Sequence, residues 1–212
     1  MDSVATSLSR HDPHLRKWML FIDGENLTLR AQQIADKNGI KLIEGPYYMR
    51  DVFIWLPKIR ATAAITNTQD TRIPVQPHAI RAHYYTSIIG DNDKQTEVRD
   101  TLWKLGFNPE VFKKTRKDEK AKGVDIALTK DILWHAYFNN YDVAVLLSGD
   151  GDYVPVVEAV KRLGKAIYVC SFQGTGLSQE LRLASDTFYE LEPFFLDTWR
   201  GFIDSIEPTI DG

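Results

Sequence analysis

The stretch K-W-M-L-F-I-D-G-E-N (17–26) is a short unbroken apolar run that stops at Asp23-Gly24. An apolar run of that length, closed by a turn signal, is the pattern of a strand buried on both faces. Three further stretches repeat it: A-I-R-A-H-Y-Y-T (79–86), Y-D-V-A-V-L-L-S (141–148) and K-A-I-Y-V-C-S (165–171). T-F-Y-E-L (187–191) adds a short edge strand. Helical patterns lie between them. Residues 26–37 gather Leu27, Ala31, Ile34 and Ala35 on one side, and 94–105 and 153–163 run into the stops Leu105-Gly106 and Leu163-Gly164. Residues 123–138 repeat Val124, Leu128, Ile132 and Ala136 at every fourth position. Doubly buried strands alternating with helices predict an α/β fold, a three-layer α/β/α sandwich around a mainly parallel sheet.

Composition narrows the function classes. The chain has 212 residues, 43% hydrophobic and 26% charged, a globular balance that excludes wholesale disorder. Its formal net charge of -3 carries no overall mark of a nucleic-acid binder. The one cysteine, Cys170, leaves no internal disulfide or cysteine zinc site and suits a reducing compartment. No run approaches the roughly 18 apolar residues of a membrane helix, and the N-terminal stretch lacks the apolar core of a signal peptide. A soluble cytoplasmic protein without membrane contact is expected. Residues 1–16 read as a mobile tail, 56–76 as an aperiodic insertion, and 193–212 as a C-terminal extension. Within that extension Trp199, Phe202 and Ile206 fall at helical spacing, open to a partner or to docking on the domain. Trp103, Trp134 and Phe112 are expected in the core.

The aspartates carry the chemical signal. Asp23 ends the first strand, and Asp150 and Asp152 follow the strand 141–148 in L-S-G-D-G-D-Y. Ligands of an open parallel sheet bind beyond the carboxyl ends of the strands, so the three carboxylates are predicted on one edge. Asp125 sits in the first turn of the 123–138 helix, where an acidic residue also suits the helix dipole. Asp-Gly is likewise a common turn, but convergent carboxylates repel one another unless a cation neutralises them. Hard oxygen ligands of this type suit Mg²⁺ or Mn²⁺. Asp131, six residues on, lies about 120° off the face of Asp125 and reads as a supporting or solvent residue. Asn26 caps the first helix or orients Asp23.

A basic stretch, K-K-T-R-K-D-E-K-A-K (113–122), immediately precedes Asp125. Lys114, Arg116, Lys117, Lys120 and above all Lys122 are expected to hold the phosphates of a polyanion at the rim, with Tyr153 stacking on an unpaired base and Tyr84 and Tyr85 as further aromatic candidates.

Four segments in order, F-I-D-G-E-N (21–26), K-G-V-D-I-A-L-T-K-D (122–131), L-S-G-D-G-D-Y-V-P (147–155) and L-R-L-A-S-D-T-F (181–188), resemble the successive motifs of NYN domains. These are PIN-like nucleases, and this version is similar to the LabA-like bacterial branch. The resemblance covers residues 17–192 and implies a PIN-like sandwich and metal-dependent hydrolysis of RNA. By motif position it implies Asp23, Asp125, Asp150 and Asp152 as catalytic metal ligands, with Asn26 in support. The 56–76 segment is longer than the pattern, and Gly151-Asp152-Tyr153 replaces its commoner Ser-Asp-Phe. Two alternatives stand beside this reading. A non-catalytic RNA-binding or regulatory module would use the same fold. A haloacid-dehalogenase-like phosphatase would need a second aspartate two residues after Asp23, where Glu25 stands. A homodimer is left open.

Overall fold

The computed structural model describes residues 15–61, 78–116 and 123–206. The expected tail up to residue 14, residues 62–76 of the expected insertion, and 207–212 lie outside them. The elements run β1 (Trp18–Asp23), α1 (Gly24–Lys37), β2 (Tyr48–Met49), β3 (Phe53–Ile54), β4 (Arg81–Ile88), α2 (Asn92–Lys104) and β5 (Asn108–Lys113). They continue as α3 (Val124–Tyr137), β6 (Val143–Leu147), a 3-10 turn at Gly151–Tyr153, α4 (Val154–Arg162), β7 (Ala166–Ser171), α5 (Gln179–Ala184), β8 (Thr187–Glu190) and α6 (Glu192–Ile206).

The main sheet has six strands in the order β5-β4-β1-β6-β7-β8, and every neighbouring pair is parallel. The chain steps outward from β1 through β4 to β5, then returns to the other side of β1 and steps outward again. The direction of winding therefore reverses between β1 and β6. Residues of β1 alternate between the two faces, as strand geometry requires. Trp18, Leu20 and Ile22 join a core with Ala31 and Ile34 of α1, Val98 and Leu102 of α2, and Phe195 and Trp199 of α6. Met19 and Phe21 join the opposite core with Leu128 and Ile132 of α3, Val157 of α4 and Leu181 of α5. The sandwich thus has three layers, as the alternation of strands and helices predicts.

Three features differ from expectation. β5 reads as polar in sequence because it is the sheet edge, with Val111 buried and Asn108 and Lys113 exposed. The short antiparallel hairpin β2-β3 gives no periodic signal at two residues a strand, yet it seals one core through the Tyr84 hydroxyl. That hydroxyl donates to the Ile54 carbonyl at 3.0 Å and accepts from the Ile54 amide at 3.1 Å. Trp103 and Trp134, expected in the core, are 69% and 59% exposed. Hydrophobicity alone did not say which side of each helix they occupy.

Candidate metal and nucleic-acid site

Asp23 closes β1 at the point where the winding reverses, which is where open parallel sheets place their ligands. It also caps α1: Oδ1 accepts from the Asn26 amide at 3.1 Å and Oδ2 from the Ser148 hydroxyl at 3.0 Å. Gly24 is required beside it, since a Cβ there would fall 2.2 Å from the Tyr84 ring and 2.7 Å from the Tyr85 carbonyl oxygen. The cap of α1 is thus Asp23 itself, and Asn26 holds it through the backbone amide while its side chain serves elsewhere. Its Oδ1 accepts from the Gly149 amide at 3.1 Å, which ties the end of β1 to the end of β6.

After β6 the chain turns tightly. The Asp150 amide donates to the Ser148 hydroxyl at 3.2 Å, and Asp150 Oδ1 accepts from the Asp152 amide at 3.0 Å. This capped 3-10 turn swings the Tyr153 ring inward. Tyr153, expected to stack on a base, is instead buried, and its hydroxyl donates to Asp125 Oδ1 at 3.0 Å. Tyr84 and Tyr85 are buried too and offer no stacking surface. Asp125 is half-buried in the first turn of α3 and faces the strand ends, whereas Asp152 is on the exposed side of the turn.

The electrostatics show which carboxylates converge. Burial raises the Asp23 pKa to about 7, opposed by its two hydrogen bonds and reinforced by the charges of Asp125 and Glu25. The Tyr153 hydroxyl is pushed up by burial and then by Asp23, Asp125 and Asp150. Asp23, Asp125 and Asp150 therefore all act on the buried Tyr153 hydroxyl. Among the described residues no three acidic, histidine or cysteine side chains form a ready-made metal cage. The donor set still fits a hard divalent cation, because Mg²⁺ uses one or two carboxylates and keeps several waters. A buried carboxylate pressed by like charges is the kind of group such an ion relieves.

Glu25 is a site residue that the sequence reading missed, although it stands inside F-I-D-G-E-N. Its Oε1 receives the Lys114 ammonium at 3.0 Å and the Ser87 hydroxyl. Lys114, expected on RNA, is thereby engaged with Glu25 and largely shielded, its side chain 12% exposed. Arg116 is exposed at the start of the basic stretch; Lys117, Lys120 and Lys122 lie outside the described residues. Asp131, expected to support the site, belongs to a different group. It accepts from the Tyr85 hydroxyl at 2.9 Å, meets Lys130 at 3.2 Å and raises the Glu110 pKa, after burial.

Comparison with known proteins agrees with this architecture. The Low amplitude and bright protein LabA of Synechococcus elongatus is 29% identical over 199 residues, spanning 89% of this chain and 88% of that protein. A crystal structure of a protein of unknown function from Vibrio parahaemolyticus superposes with a TM-score of 0.50 at 22% identity, over 85% of this chain and 96% of the other. That likeness is one of fold. The NYN domain family matches residues 17–192, which take in all six strands of the sheet and both halves of the acidic edge. The chain belongs to the NYN domain family.

Proposed function

We propose that the protein is an endoribonuclease that hydrolyses phosphodiester bonds with a divalent cation, Mg²⁺ or Mn²⁺. Membership of a PIN-like, nuclease-type family supports the substrate class. The observation that carries the reading is Asp23, a carboxylate buried at the strand ends with its pKa raised to about 7 beside Asp125 and Glu25. A carboxylate so perturbed at the carboxyl ends of the strands is a candidate for function.

Asp23, Asp125 and Asp150 would hold the cation, with Asp152 at the rim. A bound ion of this class supplies a water of lowered pKa and offsets charge on the phosphodiester oxygens. The rest falls to this chain's own groups. Ser148 and the Asn26 amide fix the rotamer of Asp23, and the Tyr153 hydroxyl fixes Asp125. Asn26 keeps Gly149, and with it Asp150, against the end of β1. Arg116 and the lysines at 117, 120 and 122 would gather the RNA backbone, while Lys114 offsets Glu25 at the edge of the cleft. The buried free Cys170 is in keeping with a reducing, cytoplasmic setting, and among the described residues no helix is long and apolar enough to cross a membrane.

RNA binding without turnover, on the same fold, is the second reading. Labelled single-stranded and structured RNA, incubated with Mn²⁺ and with chelator, separates the two. Cleavage that chelator, Asp23→Asn and Asp150→Asn each abolish, with RNA affinity kept, establishes the nuclease. Affinity indifferent to chelator, with no cleavage, establishes the module. If neither cleavage nor binding occurs, both readings fail.

A further inference from the structure

Helix α1 leaves the acidic edge with a polar line along one side. At about 100° per residue, Asn26, Arg30 and Lys37 fall within roughly 40° of one another. The loop Q-G-T-G-L-S (173–178), between β7 and α5, lies along that line. Asn26 begins it by accepting from the Gly149 amide at 3.1 Å. The loop is tied to the same residue, since the Ser178 amide donates to the Gly149 carbonyl at 2.9 Å. One turn further along α1, the Arg30 guanidinium lies on Gly176. A Cβ there would fall 2.2 Å from Arg30 Cζ, and a φ of +62° independently favours glycine. The Gly176 carbonyl oxygen in turn faces Gly149, 3.1 Å from where a Cβ of that residue would be. Gly176 alone therefore separates Arg30 from Gly149, the residue before Asp150.

The Arg30 guanidinium has no acid to meet. Among the described residues its acceptor is the neutral Gln33 Oε1, at 3.1 Å, and no carboxylate pairs with it. Its Nε is buried without a partner, and so is the hydroxyl of Thr175, next to Gly176. Leaving a charged donor unpaired is costly, so such a group signals a partner of opposite charge. Lys37, at the far end of the line, differs. Glu192 Oε2 comes to within 3.2 Å of the Cβ position of Gly174, where the Lys37 ammonium also approaches, so the charge there is offset.

We propose that Arg30 holds a phosphodiester group of RNA on the β7 side of the acidic edge. The proposal rests on the nuclease reading for its substrate. A planar guanidinium matches the paired oxygens of a phosphate, and the exposed glycines 174 and 176 leave the loop backbone open to close approach. Lys114 and Arg116 enter from the end of β5, on the opposite flank in the strand order. Arg30 would thus grip the strand from the side that the basic stretch does not reach.

Binding of fluorescein-labelled single-stranded RNA to the full chain in EDTA, followed by anisotropy over a range of salt concentrations, tests this without requiring cleavage. Arg30→Gln keeps the wild-type circular dichroism and weakens binding about tenfold. It also lowers the slope of log Kd against log salt by about 0.7, the share of one phosphate contact to a single strand. An unchanged slope overturns the proposal even where affinity falls, since a merely loosened loop releases no counterions. Should Arg30→Gln fail to fold, Arg30→Lys decides. Weaker binding at an unchanged slope supports the proposal, because a point charge replaces the fork, and unchanged affinity overturns it. The two readings separate in Mn²⁺. The expected binding changes without any RNA cleavage keep the phosphate contact and overturn the nuclease. Cleavage with the same KM in Arg30→Gln as in the wild type keeps the nuclease and overturns the contact. A wild type that binds no RNA overturns the contact outright.

Discussion

Asp23 on β1 and His83 on β4 sit on adjacent strands, 4% and 9% exposed, and burial drives both toward their neutral forms. For Asp23 this means a pKa raised to about 7, and for His83 one lowered to about 4. Their surroundings differ in kind. Asp23 has a donor on each oxygen and other carboxylates nearby. His83 is stacked between Phe21 and Tyr85, at centroid distances of 5.4 and 6.1 Å, and its Nε2 has no partner. Next to it lie His135, Asp131 and Arg81, whose charges change its pKa less than burial does. The same desolvation serves charge in one place and packing in the other. A buried ionisable group marks a functional site when its hydrogen bonds are built for the ion.

The largest effect expected is on Asp23. Its folded pKa of about 7 lies above the unfolded value of 3.8, so the folded state binds the extra proton and stability falls as pH rises through that window. In chelator, Asp23→Asn should match the wild type near pH 4 and exceed it at pH 8 by about 2–4 kcal/mol in urea melts. Mn²⁺ should raise the wild-type melting temperature and leave that of the variant unchanged. A variant less stable at pH 8 would break the contrast with His83.

For His83 the sign reverses. Its folded pKa of about 4 lies below the ordinary 6.5, so its contribution is complete above pH 6.5 and is lost as pH falls toward 4. His83→Phe should therefore gain about 1–2 kcal/mol over the wild type at pH 5 and little at pH 8. The same melts read this, and an unchanged acid limb would show that His83 is not its source. The smallest effect is that of Tyr153→Phe, which removes the donor to Asp125 at a cost of about 1 kcal/mol. It should slow RNA cleavage without moving RNA affinity; a loss of affinity instead would return Tyr153 to a binding role.

The sheet was legible because its central strands are buried on both faces and so read as unbroken apolar runs. β5 escaped because an edge strand needs only Val111 inside, and the β2-β3 hairpin because two residues cannot show a period. At the acidic edge, strand ends located Asp23 and Asp150, since topology alone brings those positions together. Tyr153 was misread because direction depends on the 3-10 turn that Asp150 caps, a detail below the resolution of sequence spacing. Glu25 was missed because its partners, Ser87 and Lys114, come from distant segments joined only by the sheet.

The bonds that join the two halves of the acidic edge also set when it can exist. Ser148 to Asp23 spans 125 residues of chain and Asn26 to Gly149 spans 123. Contacts of such separation form late, after the closure entropy of the intervening chain has been overcome. During synthesis the first half of the sheet emerges with Asp23 and Asn26 in place but with nothing to face them. The nascent chain carries no assembled acidic edge until the segment beyond residue 148 has followed.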